Sequence, residues 1–439
     1  MKRLRVGVVG GGWAGMAAAV TAVQAGHHVA VFEAARQWGG RARALPASLA
    51  DGSPVLLDNG QHILIGAYTD TLALMRTVGV SPQHTLLRQP LCMQFPDGAG
   101  LALPDWPVPL DVLFGIATAG GWSLTDKWSL LQTTSRWQRS GFRCSELTTV
   151  TTLCRGLSER VMQTLIEPLC VSALNTPPER SSGQVFLRVI QDALLGGRGS
   201  SNLLIPLTDL SSLFPATAAA WLAKAGAQLQ LGCRVDQLNR APSDSGPAWL
   251  INGEAFDTVI WATAPWVASH ILGQAHGPWA EPLHTWARQT ALLQYESIAT
   301  VYVQAGTCRL HRPMLALPCS PDMPAQFVFD RGQLGGPTGL LAFVVSASQD
   351  ERGILQDKVL RQAQRHLSGA LTNQTLQPLQ TVVEKRATFA CTPGLVRPAQ
   401  SVAPGLLACG DYVQGPYPAT LEGAVRSGMA AARHRGNTT

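Results

Sequence analysis

The first residues whose types and spacing suggest chemistry are Gly10-Gly11-Gly12-Trp13-Ala14-Gly15, a G-x-G-x-x-G run. In such a run Gly10 permits a tight turn, Gly12 lets the backbone approach a pyrophosphate, and Gly15 lets a helix pack closely on a strand. The free N–H groups at the start of that helix, from Trp13 and Ala14 onward, attract phosphate. In a chain with 43 glycines this run alone is weak evidence for a dinucleotide site. The residues that follow it must therefore be considered as well.

A carboxylate follows at the expected distance. Glu33 lies 18 residues after Gly15, at the end of the next predicted strand. An acid at this place accepts hydrogen bonds from the ribose hydroxyls of a bound dinucleotide. The alternative is a solvated residue at a strand end. The order of strand, turn, helix, strand and acid favours the dinucleotide.

A third motif distinguishes between dinucleotides. Gly39-Gly40-Arg41 follows the acid, as a Gly-Gly-Arg turn does in many flavoenzymes, where it closes over the cofactor. Arg41 would offer its fork of donors to phosphate. No second G-x-G-x-x-G stands in a strand-turn-helix context, so the sequence predicts bound FAD and no separate nicotinamide domain.

Further cofactor contacts are predicted near residue 235 and beyond residue 409. Asp411, after Gly410, is placed to accept from the ribityl chain, and the amides of Leu421 and Glu422 would face the flavin N1/C2 edge at a helix start. Val235 would contact adenine through its backbone. No His or Cys occupies an obvious attachment position, so we expect the FAD to be held non-covalently.

These motifs require an α/β fold. We predict an FAD-binding Rossmann-like domain interleaved with an α+β substrate domain. The FAD-binding domain is expected to comprise residues 1–80, 205–265 and 385–439, and the substrate domain residues 81–204 and 266–384. Buried strands at 5–9 and 28–33 would flank the first helix.

Composition excludes several classes. The net charge of +6 is spread over scattered arginines without a basic run, so no nucleic-acid partner is expected. Nine cysteines without a C-x-x-C pair suggest neither a metal site nor disulfides, which favours the cytoplasm. The apolar segment 101–122 is interrupted by prolines and aspartates and cannot span a bilayer. It is a candidate membrane-contact surface, although burial in the substrate domain would explain it equally well.

Beyond these motifs, the chain resembles the hydroxysqualene dehydroxylases, within the amine-oxidase and phytoene-desaturase flavoprotein superfamily. The resemblance extends over nearly the whole chain and is carried by residues 6–43, Leu57-Asp58-Asn59-Gly60-Gln61-His62, Gly66-Ala67-Tyr68, Glu167-Pro168-Leu169-Cys170, Ala173-Leu174-Asn175-Thr176-Pro177 and Tyr417-Pro418-Ala419-Thr420-Leu421-Glu422-Gly423. It implies reductive removal of the allylic hydroxyl of hydroxysqualene, giving squalene for hopanoid biosynthesis.

The same resemblance implies an apolar isoprenoid substrate, and because such a substrate partitions into lipid, a membrane surface is an expected partner. With no nicotinamide domain predicted, we expect an external electron donor: either a reductant binds transiently or another protein reduces the flavin. We accordingly expect a cytoplasmic protein in peripheral contact with the inner face of the cytoplasmic membrane. His62 and Tyr417 are the candidate catalytic residues, although a structural histidine and a packed aromatic would explain them as well. A polyprenoid desaturase, an amine oxidase and a non-catalytic lipid carrier remain alternative functions.

Overall fold

A computed structural model describes residues 3–241 and 248–434 of the chain. The chain opens with strand β1 (Arg5–Val9), helix α1 (Trp13–Gln24) and strand β2 (His28–Glu33). Every residue of α1 from Trp13 to Ala22 is buried, because small alanine side chains let the helix lie close against the sheet and its neighbours. The predicted βαβ start is therefore present, with both strands at the predicted residues.

This unit belongs to a six-stranded sheet that is parallel except at one edge. Its strands come from the beginning, the middle and the end of the chain. In spatial order they are β10 (Gln228–Leu231), β2, β1, β14 (Thr258–Trp261), β21 (Leu406–Ala408) and β20 (Ser401–Ala403).

A second, antiparallel sheet of five strands forms the other large layer. In spatial order the strands are β16 (Met314–Ala316), β17 (Phe327–Asp330), β18 (Leu340–Ser346), β15 (Tyr295–Gln304) and β19 (Gln377–Phe389). Strand β18 is buried at every residue but the last, and β15 is buried along most of its second half.

Four small sheets complete the strand content. They are β3 (Ala44–Ser48) with β4 (Pro54–Asp58); β5 (Leu64–Ile65), β9 (Leu203–Pro206) and β6 (Leu86–Gln89); β7 (Cys92–Gln94) with β8 (Gly100–Ala102); and β11 (Leu238–Ala241), β12 (Ala248–Ile251) and β13 (Glu254–Phe256).

The remaining helices cover both layers. They are α2 (Thr69–Thr77), α3 (Pro82–Thr85), α4 (Leu110–Thr118), α5 (Leu124–Arg139), α6 (Val150–Leu153), α7 (Glu159–Val161), α8 (Glu167–Leu174), α9 (Gly183–Leu195), α10 (Leu210–Leu213), α11 (Pro215–Lys224), α12 (Pro265–Leu272), α13 (Ala280–Ala291), α14 (Arg352–His366) and α15 (Leu421–Arg433). A π-helical turn (Met162–Ile166) joins α7 to α8, and a 3₁₀ turn (Arg331–Gln333) follows β17.

The two large sheets take their strands from different ranges of the chain. Those of the parallel sheet all come from ranges assigned to the FAD-binding domain, and β15–β18 come from the range 266–384. Strand β19 runs past the expected boundary to Phe389, and the small sheet β5-β9-β6 joins segments assigned to different domains. Hydrogen bonds between strands therefore cross these boundaries and connect the two predicted domains.

Segment 101–122 is neither a spanning helix nor fully buried. Strand β8 overlaps its start and helix α4 lies within it, and α4 leaves Leu110, Leu113 and Phe114 exposed. Within the described ranges, no helix has both the length and the apolar character that crossing a bilayer requires.

Candidate cofactor and active site

A cavity of about 890 Å³ opens where the parallel strands end, within the size range of small-molecule sites. Its wall includes Gly10 after β1, Glu33 at the end of β2, Ala262 after β14 and Gly410 after β21. Ligands of open α/β sheets bind at this carboxyl edge. Strand β19 of the antiparallel sheet closes another part of the wall.

The glycine run builds the turn that the sequence predicted. Gly10 has a φ of +114° and donates its N–H to the Phe32 carbonyl at 2.8 Å. A Cβ on Gly15 would lie 1.9 Å from the Gly10 carbonyl oxygen, so only glycine lets α1 start this close to the turn. A Cβ on Gly12 meets nothing nearer than 3.7 Å. That open space beside the α1 N-terminus is where a pyrophosphate can approach. Trp13 and Ala14 also line the cavity.

Glu33 is fixed in orientation by two backbone donors. Its Oε2 accepts from the Gly11 N–H at 2.6 Å and its Oε1 from the Ala35 N–H at 2.8 Å. Each oxygen keeps a lone pair for a further donor, such as a ribose hydroxyl. The Cys233 N–H bonds the Glu33 carbonyl at 2.9 Å and brings the buried Val235 to the same wall.

The second glycine turn lies directly against the first. The Gly39 N–H donates to the Gly11 carbonyl at 3.0 Å, and Gly40 approaches Gly12 closely. Both Gly39 and Gly40 have positive φ, +123° and +61°. The turn therefore brings Arg41 into the cavity wall.

Arg41 is engaged by protein acceptors rather than left free. It donates from Nη2 to Asp411 Oδ1 and from Nη1 to the Ala387 carbonyl at 2.6 Å. Burial works against its charge, but the charge and hydrogen bond of Asp411 raise the pKa of Arg41 above its ordinary value. The sequence assigned these two residues to separate parts of the cofactor, whereas the structure joins them in one ion pair.

The wall as a whole supplies what a dinucleotide needs. The glycine turn leaves room for a pyrophosphate at the α1 N-terminus, and the Glu33 carboxylate is held in place for a ribose. The residues present therefore fit a bound FAD, and Arg43 adds a further positive charge to the same wall.

Two residues at the start of α15, Leu421 and Glu422, were predicted to contact the flavin, and only Leu421 lines the cavity. Thr420 caps the helix by accepting from the Gly423 N–H at 3.0 Å, and Leu421 lines the cavity. Glu422 does not line the cavity, because the helical turn directs its side chain to the opposite side. There its buried carboxylate accepts from the Asp70 N–H at 3.2 Å and the Thr71 N–H at 2.9 Å, capping α2. Burial raises the pKa of Glu422 above its ordinary value.

His62 lies in the cavity wall, as predicted. Its Nδ1 is 3.0 Å from the Gly60 carbonyl, which can only accept, so Nδ1 carries the proton of this bond. Burial lowers the pKa of His62 below its ordinary value. The ring is therefore neutral at neutral pH and presents Nε2 as an acceptor.

Tyr417, the other catalytic candidate, does not line the cavity. Its backbone has a φ of +58°, and its ring lies beside the Arg426 guanidinium at 5.2 Å. Tyr68 lines the cavity instead and packs edge-on against Tyr417, with ring centroids 6.2 Å apart. Burial raises the pKa of Tyr68 above its ordinary value, so its hydroxyl stays protonated. Its position in the Gly66-Ala67-Tyr68 run was the available sequence signal.

The parallel sheet, the paired glycine turns and the fixed acid define a dinucleotide-binding flavoprotein. The sequence pattern of the flavin-containing amine oxidoreductases matches residues 13–434, and the chain belongs to that family. It is an FAD-dependent oxidoreductase, which confirms the predicted cofactor and enzyme class.

Individual proteins and a solved structure are also similar to this chain. A hydroxysqualene dehydroxylase from Rhodopseudomonas palustris is 29% identical, with 97% of each chain covered. A zeta-carotene desaturase from Synechocystis is 41% identical over 93 residues, which is 20% of this chain and 18% of that protein. An oxidoreductase structure from Methanosarcina mazei superposes with a TM-score of 0.70 at 15% identity, covering 97% of this chain and 99% of its own. The α/β fold predicted from the sequence is thereby confirmed.

Asp58, at the start of the turn that carries His62, gives a prediction about pH. Burial raises its pKa to about 6, although Oδ1 accepts the Leu210 N–H at 2.8 Å. The folded state thus holds the proton more tightly than the unfolded chain, whose pKa is about 3.9. This contribution to stability is complete below about pH 4 and is lost as the pH rises through about 6, at a cost of roughly 3 kcal/mol.

We expect Asp58→Asn to remove this loss, because the amide stays neutral and keeps an acceptor for Leu210. The free energy of unfolding should match wild type near pH 4 and exceed it by up to roughly 3 kcal/mol near pH 7. Denaturant unfolding of both proteins across this range tests it. Parallel profiles would show that Asp58 does not titrate there.

Proposed function

We propose that this FAD-dependent oxidoreductase acts on a polyprenoid and removes the allylic hydroxyl of hydroxysqualene, giving squalene for hopanoid biosynthesis. The observation that carries the proposal is the likeness to a hydroxysqualene dehydroxylase over 97% of both chains. The cavity is compatible with it, since Ile63, Ala173 and Ile298 contribute apolar wall beside His62.

The reaction replaces C–OH by C–H and releases water, so it consumes one hydride, which carries both electrons, and one further proton that leaves with the hydroxyl as water. Reduced FAD supplies hydride to the allylic carbon when bound. The chain must donate a hydrogen bond or proton to the departing oxygen and keep bulk water away from the electron-deficient carbon. Tyr68 is an O–H donor in the wall, and burial raises its pKa, so the hydroxyl keeps its proton. An external donor must then reduce the flavin again.

The test is an anaerobic incubation of FAD-loaded protein with hydroxysqualene and a chemical reductant, followed by product analysis. We expect squalene in an amount that follows the reducing equivalents added. Recovery of unchanged hydroxysqualene, with the flavin still reduced, would reject the proposal.

A polyprenoid desaturase is the second candidate, favoured by the local identity to a zeta-carotene desaturase. It uses the same cofactor in the opposite redox direction. The discriminating experiment gives oxidised protein a polyene and a quinone acceptor. New double bonds in that experiment, without dehydroxylation in the first, would establish the desaturase.

We also propose that an exposed apolar surface, the α4–α5 patch, brings the protein to the membrane that dissolves such a substrate. The patch consists of Trp106, Leu110, Leu113, Phe114, Leu124 and Trp128, all exposed. The Trp106 and Phe114 rings pack against each other at a tilt of 53°, with centroids 4.5 Å apart. Tryptophan beside aliphatic residues is typical of membrane interfaces, and contiguous apolar surface of this kind marks an interaction site.

The paired variant Leu113→Asp/Phe114→Asp should reduce flotation with liposomes, because two charges would enter the headgroup boundary. The matched control is Leu292→Asp/Ile354→Asp, which adds the same charge at exposed apolar residues elsewhere. Equal flotation of the two variants would exclude this patch as the anchor. Absence of wild-type flotation on every lipid composition would reject the membrane proposal.

A further inference from the structure

The turn at residues 58–62 is held from beneath by the antiparallel sheet. Its residues Asn59, Gly60, Gln61 and His62 all line the cofactor cavity. Tyr302, in the centre of β15, is completely buried below this turn and lies 244 positions away in sequence from Asp58. Its side chain therefore connects the antiparallel sheet to the cofactor site.

The Tyr302 hydroxyl uses all of its hydrogen-bonding capacity on this turn. It donates to the Asp58 carbonyl at 2.7 Å and accepts from the Asp58 N–H at 3.1 Å and the Gln61 Nε2 at 2.7 Å. A hydroxyl has one donor and two acceptor sites. All three are occupied by two residues of one turn, which fixes the turn in a single position.

Arg331 supports the same turn from another part of the antiparallel sheet. It follows β17, is buried, and donates from Nη1 to Gln61 Oε1 at 3.2 Å. The Gln61 amide is thus clamped at both ends, by Tyr302 at nitrogen and by Arg331 at oxygen.

The opposite side of the 58–62 turn is hydrogen-bonded to the turn at residues 39–43 that carries Arg41 and Arg43, the arginine turn. Asn59 Oδ1 accepts from the Arg43 N–H at 3.0 Å, and its Nδ2 donates to the Arg41 carbonyl at 2.6 Å. A displacement of residues 58–62 therefore also moves the backbone that carries Arg41 and Arg43.

From this geometry we infer that Tyr302 and Arg331 are positioning residues: they hold the 58–62 turn, and through Asn59 the arginine turn, in register with the bound FAD. They line no part of the cavity themselves. The inference concerns the cofactor site and is independent of the proposed substrate.

Tyr302→Phe tests it, because the ring is kept and only the hydroxyl is lost. We expect a folded protein whose FAD dissociation constant rises about ten-fold, the effect of losing roughly one good hydrogen bond. The visible absorption and the reduction potential of the bound flavin should also change. Tyr295→Phe is the matched control on the same strand. Its hydroxyl makes no hydrogen bond within the described ranges, and we expect wild-type values.

Two results would overturn the inference. One is a Tyr302→Phe protein with a lower melting temperature but with the FAD affinity, flavin spectrum and reduction potential of the control, which would show a purely structural role. If Tyr302→Phe fails to fold, Arg331→Lys decides, since it keeps the positive charge beside Asp58 but loses the directed bond to Gln61. An unchanged flavin spectrum and FAD affinity in that variant would be the second.

Discussion

Replacing Gly12 by alanine should abolish high-affinity FAD binding without unfolding the protein. Its φ of −78° suits alanine, and the added methyl would lie 3.7 Å from its nearest neighbour. The protein therefore tolerates the methyl, but the methyl fills the space through which the pyrophosphate approaches the α1 amides. Losing charge-assisted hydrogen bonds there predicts an affinity about 100-fold lower, corresponding to roughly 2.7 kcal/mol.

Two further alanine variants serve as controls, one expected to disturb the fold and one expected to change nothing. Gly15→Ala places a methyl 1.9 Å from the Gly10 carbonyl oxygen and should disturb the fold itself. Gly353→Ala meets nothing within 4 Å and should change neither fold nor affinity. Flavin-fluorescence titrations and melting of the FAD-free proteins separate the three. If the Gly12→Ala protein bound FAD like wild type, the cofactor would not approach along this turn.

Removing Asp411 should damage both stability and cofactor binding, by two separable routes. The Asp411 side chain is 8% exposed and pairs with Arg41, which is 27% exposed. Asp411→Ala leaves that guanidinium without its counter-charge, and breaking such a pair costs about 3 kcal/mol. It also removes a charged acceptor from the cavity wall, for which we expect FAD affinity to fall about ten-fold or more.

The double variant Arg41→Met/Asp411→Ala distinguishes these routes. With both charges gone, part of the lost free energy of unfolding should return, because replacing both members of a pair is far milder than removing one. FAD affinity should stay low. A double-mutant cycle measures the coupling. Full recovery of FAD affinity in the double variant would contradict a direct role of Asp411 in holding the cofactor.

The parts of the site that the sequence could predict are those that depend on consecutive residues. Gly10, Gly12, Gly15 and Glu33 have their spacing imposed by one strand, one turn and one helix. Their places in the structure follow from that local geometry alone. The same local reasoning found the turn at Gly39-Gly40.

Side-chain direction and distant partners could not be predicted in this way. Tyr417 stands near α15 in the chain, but positive φ values at Tyr417 and Ala419 turn the backbone, and Tyr68 lines the cavity instead. Glu422 was predicted from its backbone position, whereas its side chain caps α2. Tyr302 carries no local motif, because its function depends on a turn 244 residues away.

The order of strands in the parallel sheet has a consequence for biosynthesis. Strand β14 ends at Trp261, but the strand that pairs with its outer edge begins only at Leu406. At roughly 5–20 residues per second, the ribosome needs about 7–30 s to make the intervening 144 residues. During that interval the nascent chain displays an unpaired parallel edge, a template for wrong pairing. Asp411 has not yet been made either, so added flavin cannot protect this edge, and we expect slower translation to lower the soluble yield.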